Sequence, residues 1–271
     1  MNVAIVRKTI SDALPLLLIM CLAIFALELL IVGAMSQFAE EFSDIILAKP
    51  LFQRFARLLV GADLSADLSP TTLVTIGYAH PLLYAFTWTF LLATCTRVLA
   101  GEIERGTADL LLGLPLSRAT IYVSISVVCL LAGLPIGTTV LFGTWVGETA
   151  FSMWEPLDLA GLAVVTVNMF ALYLAIGSGT LFAASLASRR GPAIAAVLAI
   201  LLGSFLLSFL GQFWAFFERI NFLSILHYYQ PLPIIRAEAW PWGHLVVLLS
   251  IAAAFWLLGL WRFTRRDIPA A

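Results

Sequence analysis

The 271 residues are 62% hydrophobic and only 11% charged, with a mean hydropathy of +1.01. A soluble domain of this size carries roughly a quarter charged residues, so a water-soluble fold would expose far more apolar surface than water tolerates. The formal net charge is −1 and there is no basic tail, which argues against nucleic acid as a partner.

Apolar runs near the ~20 residues needed to cross a bilayer as a helix recur along the whole chain. The segments 14–35, 76–99, 121–146, 159–187, 192–214 and 244–263 meet that requirement. Alternating barrel patterning is absent, and in lipid the backbone is then satisfied only by helices. The expected fold is all-α: a polytopic membrane protein of six transmembrane helices, with a short cytoplasmic coupling helix and amphipathic helices on the outer face, in one domain over 1–271.

Taken in chain order, Arg7 and Lys8 precede an apolar run longer than a signal core, with no small-residue cleavage site after it, so a retained first span is expected. Inside that span lies Glu28, a lone acid roughly 14 residues in. Two readings are open for it: an acid facing a substrate pathway, or an acid near the outer headgroups. The stretch 36–75 spaces Phe38, Phe42, Ile45, Ile46, Leu51, Phe52 and Phe55 among charges, the pattern of an amphipathic helix at a surface. It reads as a lid or a substrate contact.

The third span carries Gly133, Pro135, Gly137, Gly143 and Gly147. Pro135 predicts a kink, and the small residues predict close helix packing within the chain or against a second copy. The stretch 215–243, rich in aromatics and with Pro231, Pro233 and Pro241, predicts short helices in the outer headgroup zone rather than a seventh span. Cys21, Cys95 and Cys129 all fall in apolar runs and read as small buried hydrophobes.

With the N-terminus inside, ten of the fifteen basic residues are cytoplasmic: Arg7, Lys8, Arg97, Arg105, Arg118, Arg189, Arg190, Arg262, Arg265 and Arg266. Only five acids accompany them, while ten lie outside. Basic residues near span ends are retained in the cytoplasm, so both termini are expected there, in a bacterial inner membrane.

The segment from Gly101 to Arg118 is unusually organised for a short loop. Glu102 and Arg105 are spaced to pair on one helix face, and Gly106 interrupts. Thr107 suits an N-cap and Asp109 the first turn. Leu110, Leu111 and Leu112 follow, Gly113 and Pro115 end the turn, and Ser117 can cap the next span. A helix this short is below the ~12–15 residues that are marginal alone in water, so it must dock on the bilayer, on its own bundle, or on a cytoplasmic partner.

The run Glu102-Ile-Glu-Arg-Gly-Thr107, then Leu110-Leu-Leu112, then Pro115-Leu-Ser-Arg118 resembles the signature of ATP-binding-cassette (ABC) permeases of the ABC-2 type. Phe263-Thr-Arg-Arg-Asp-Ile268 resembles a C-terminal ending common in that family, and Arg7-Lys8 resembles its N-terminal basic pair. The chain departs from the family where an acid follows that pair; here Thr9 and Ile10 follow. Among such permeases it is loosely similar to those associated with maturation of multicopper enzymes.

The resemblance implies a permease subunit, an exporter, pairing with a second copy or a paralogue and driven by cytoplasmic ABC ATPase subunits. Glu102, Glu104, Arg105, Gly106, Thr107, Asp109, Leu110, Leu111, Leu112, Pro115 and Arg118 would then form the element that couples to the ATPase.

ATP would be held by that partner and no cofactor by this chain. A phosphate-binding loop needs Gly-x-x-x-x-Gly-Lys-Ser/Thr, and the two lysines, Lys8 and Lys49, follow Arg7 and Ala48. No catalytic activity is therefore expected. His80, His227 and His244 are isolated in sequence, read as interfacial, and no metal site is expected. Gly177-Ser178-Gly179 reads as small-residue packing. The runner-up is a stand-alone secondary transporter using Glu28.

Overall fold

A computed structural model of the chain describes residues 1–48, 50–61, 69–106 and 116–266. Helices α1 (Val3–Ala48), α2 (Pro50–Val60), α3 (Pro70–Tyr78) and α4 (Pro81–Glu104) come first. Then follow α5 (Arg118–Leu131), α6 (Gly133–Ala150), α7 (Leu159–Leu186), α8 (Arg190–Gly211) and α9 (Ala215–Arg219). Two short 3₁₀ turns, Asn221–Leu223 and Ile225–Tyr228, lead to α10 (Pro231–Ala237) and α11 (Trp242–Arg265). There is no strand among the described residues.

Five helical stretches are long and apolar enough to cross a membrane: Val3–Phe38, Arg118–Ala150, Leu159–Leu186, Arg190–Gly211 and Trp242–Arg265. The expected second span corresponds to α4, which is long enough to cross but is not among those five. Its start also differs from expectation. Residues 76–78 close α3, and the chain breaks at Ala79 and His80 before restarting at Pro81. Proline suits a first helical position, where no N–H bond is lost, and the His80 ring accepts the Leu82 N–H at 3.2 Å.

The kink predicted from Pro135 falls at Ala132, between α5 and α6. Proline lacks the N–H that would reach the carbonyl of Leu131, four residues back, and its ring crowds that carbonyl. Short local caps set other boundaries. Ser69 holds Thr72 N–H, Ser117 holds Thr120 N–H, and Asp158 holds Gly161 N–H. Phe38 leaves the helical region (φ −120°, ψ 20°), so α1 bends there.

Helix α7 is the packing centre, in contact with α4, α6, α8 and α11, while α1 packs on α4, α5 and α6. Half of the most apolar stretch of α7 is buried, against 22–28% for α1, α8 and α11. An apolar helix left so bare requires a solvent as apolar as itself. The exposed Leu18, Leu22, Leu30, Leu202, Leu206, Val246 and Leu257 thus fit a lipid-facing shell, and the chain reads as a multi-pass membrane protein.

Glycines hold the centre together. An added Cβ would meet the Tyr173 ring at 2.5 Å from Gly133, Thr166 at 3.2 Å from Gly137 and Val32 at 2.8 Å from Gly147. The small residues of the third span are thus used for packing within the chain, against α1 and α7. Gly177 packs on Leu91 and Leu130 in the same way.

Candidate functional site

Two places gather the residues expected to act. The first is the rim where α4 ends and α5 begins. Glu102 and Arg105 form the expected ion pair, at 2.7 Å, and Gly106, at φ +69°, turns the chain out of α4 as a β-carbon would resist doing. Thr107, Asp109, Leu110, Leu111, Leu112 and Pro115 lie outside the described residues. The roots on either side do not.

Glu104 reaches across to α8, where its Oε2 accepts the Arg190 N–H at 3.0 Å. A carboxylate there complements the helix N-terminus. The Arg190 guanidinium turns back to α4 and donates to the Ala93 carbonyl at 3.1 Å and to Thr96 Oγ1 at 3.4 Å. Its methylenes lie over Gly101, where a β-carbon would come within 3.1 Å. On the other root, Arg118 donates to the Arg266 carbonyl. The Arg266 guanidinium in turn donates to the carbonyls of Ser185 (3.1 Å) and Ala187 (2.8 Å) and to Ser188 Oγ (2.5 Å). Arg97 joins α4 to α1 through the Asp12 carbonyl at 3.0 Å, with the Asp12 carboxylate at 3.7 Å.

The arginines counted together by sequence thus share one end of the bundle. They tie α1, α4, α5, α7, α8 and α11 by hydrogen bonds to main-chain carbonyls as well as by ion pairs. Sequence reading placed Arg190 only as a charge, and Arg266 as a charge within the C-terminal motif 263–268. Their bracing role carries no signal in the chain beyond an arginine at a helix boundary.

The second place surrounds Glu28, which is fully buried among α1, α3 and α6. Its carboxylate thus faces the interior of the bundle rather than its outer surface. Two glycines make room for the carboxylate. A Cβ on Gly77 would lie 2.9 Å from its Oε2, and one on Gly143 would lie 2.9 Å from the Glu28 Cβ. Thr144 Oγ1 sits 3.4 Å from Oε2, and the Tyr78 phenol oxygen lies 3.1 Å from Thr144 Oγ1. Thr144 Oγ1 also lies 3.2 Å from its own Val140 carbonyl, and either hydroxyl can be the donor in the Tyr78–Thr144 contact. Oε1 has no hydrogen-bond partner. Leaving a buried polar atom unpaired costs about 1–3 kcal/mol, a cost that packing alone gives no reason to retain.

At the opposite end, two of the three histidines are less isolated than their sequence spacing implies. His227 and His244 rings lie 6.3 Å apart, with Tyr228 against both. Burial lowers the titration of His80 and of His227 below the ordinary imidazole value of 6.5. Among the described residues no three metal-binding side chains converge.

No protein-family model matches the chain, and no curated protein matches it.

Proposed function

We propose that this chain is the membrane-spanning permease subunit of an ABC transporter, an exporter driven by separate cytoplasmic ATPase subunits. The coupling element is the segment between α4 and α5, and α4 is the sixth span. Both termini then face the cytoplasm of a bacterial cell, across the inner membrane. A second copy or a paralogue completes the pathway.

The observation that carries this reading is the bracing of both roots of 107–115. One root is held to α8 through Glu104 and Arg190, the other to α11 and the end of α7 through Arg118 and Arg266. A push on the segment would reach five helices, α4, α5, α7, α8 and α11, rather than one. A leucine-rich segment with both roots held suits a mechanical handle, and the resemblance of 102–118 to the ABC-2 signature agrees with it. The test is co-purification. Leu111→Asp should abolish recovery of an ATPase with the detergent-solubilised chain while membrane insertion is unchanged, and retention of the ATPase removes the assignment.

One observation favours a second reading, a secondary transporter using Glu28: the carboxylate sits buried in a nest of two glycines with one oxygen unpaired. The two readings part on energy source. A secondary transporter moves its substrate in proteoliposomes without ATPase or ATP, and the proposed permease does not.

A further inference from the structure

Among the described residues Glu28 is the one buried acid, at 0% exposure. It lies ten residues before Phe38, where the first apolar stretch ends, or about 15 Å along a helix axis.

No arginine, lysine or histidine comes within ion-pairing distance of Glu28 among those residues. The titratable side chains that face it are phenols. Tyr78 stands behind Thr144, and Tyr229 donates to the Tyr78 carbonyl at 2.8 Å. Helix α3 carries no charged residue. The acid of α6, Glu148, accepts the Leu157 N–H at 2.7 Å, and Arg97 of α4 donates to the Asp12 carbonyl.

An isolated ionised carboxylate in so apolar a place costs far more than a neutral polar group, and such a group takes up a proton instead. The geometry agrees with a neutral acid. A hydroxyl donating to a charged carboxylate stands at about 2.5–2.7 Å, whereas Thr144 Oγ1 is 3.4 Å from Oε2. Oε1 has no partner at all.

Packing gives that proton a consequence. Gly77 and Gly143 bring α3 and α6 so close to Glu28 that a β-carbon on either would come within 2.9 Å of it. Neither contact leaves space for hydrating water. An ion at this position requires water, so α1 has to part from α3 and α6 before the charge can form.

We propose that Glu28 is a proton-binding site that latches α1 to α3 and α6, holding a proton in the packed bundle and releasing it when those helices separate. On release the carboxyl O–H bond breaks, the proton passes to water and the carboxylate keeps the electron pair. For a role in transport the site rests on the Glu28 reading above, whose coupling ion it names.

The test uses the full-length protein in lipid nanodiscs, with infrared spectroscopy of the C=O stretch of protonated carboxyls. The wild type should show this band at neutral pH and lose it as the pH is raised. Glu28→Gln should lack the band, and Thr144→Val should shift its frequency. Glu155→Gln, exposed between α6 and α7, should leave it unchanged. The folded chain then holds a proton that the unfolded chain has already given up. From neutrality up to the loss of the band, the wild-type melting temperature should therefore drop relative to that of Glu28→Gln.

No such band in the folded wild type, the same band in Glu28→Gln, or melting temperatures that move together overturns the proposal. Should Glu28→Gln fail to fold, Thr144→Val carries the test, and an unshifted band overturns the assignment. A Glu28 band without ATP-independent transport keeps the site and removes the secondary-transporter reading. Such transport with no band keeps that reading and overturns the site.

Discussion

Glu28 owes its place to neighbours with no side chain. Gly77 and Gly143 leave the volume its carboxylate fills, and Thr144 and Tyr78 supply the polar contacts. Glu28→Gln keeps the shape and removes the acid. Transport should fall while subunit assembly measured by size-exclusion chromatography is unaffected; unchanged transport would show the acid to be idle. Glycine packing makes a sharper claim about stability. Gly147→Leu drives a side chain into Val32 and should cost about 1–3 kcal/mol, read as a lower melting temperature in detergent. Gly203 has nothing within 4 Å, so Gly203→Ala should change stability by no more than ~1 kcal/mol. The histidines predict a pH dependence. Because burial depresses His80 and His227, the unfolded chain binds protons more readily than the folded one below about pH 6.5. Their contribution to stability is complete above that value and is lost as pH falls through the folded-state values. The melting temperature should therefore drop on acidification below about 6.5, and less steeply in a His80→Gln/His227→Gln variant.

Among elements, the informative unit is the pair α4 and α8. Arg190 starts one helix and donates to two main-chain or hydroxyl oxygens of the other, while Glu104 closes the loop by accepting the Arg190 N–H. Arg190→Ala should destabilise the bundle by about 1–3 kcal/mol, measurable by thermal unfolding. On the proposed function it should also separate grip from transmission: the ATPase still co-purifies, yet ATP-driven transport falls. Loss of ATPase binding in that variant would instead place Arg190 in the docking surface. The break at Ala132 belongs to this scale too. It lets α5 lean on α11, through Tyr122 and the Trp256 carbonyl, while α6 follows α1 through Gly143 and Gly147.

For the molecule as a whole, charge and connectivity agree. The starts of α1, α5 and α8 and the ends of α4, α7 and α11 share the arginine-rich end, and Glu148, Glu155 and Asp158 fall at the other. Reporter fusions before Met1 and after Arg266 should read one compartment, and an insertion at Glu155 the opposite one. Opposite readings for the two termini would require an odd number of crossings and exclude α4 as a span.

Hydropathy, prolines and caps are local, and the chain alone therefore determined a great deal. Its all-helical membrane class, five helices long and apolar enough to cross a bilayer, the Pro135 break, the Ser117 cap, the Glu102–Arg105 pair and the short elements of 215–243 were all legible, because each depends on residues a few positions apart. The start of α4 was misplaced by a few residues, since hydropathy runs smoothly through the Ala79–His80 break. What the tertiary structure decided is which distant residues meet. Glu28 finding Gly77, Gly143 and Thr144, Arg190 finding Glu104 and Ala93, and His227 finding His244 are contacts between helices. In a bundle of uniformly apolar helices, rotation about each axis is set by packing against neighbours, a quantity no single helix encodes in its own pattern.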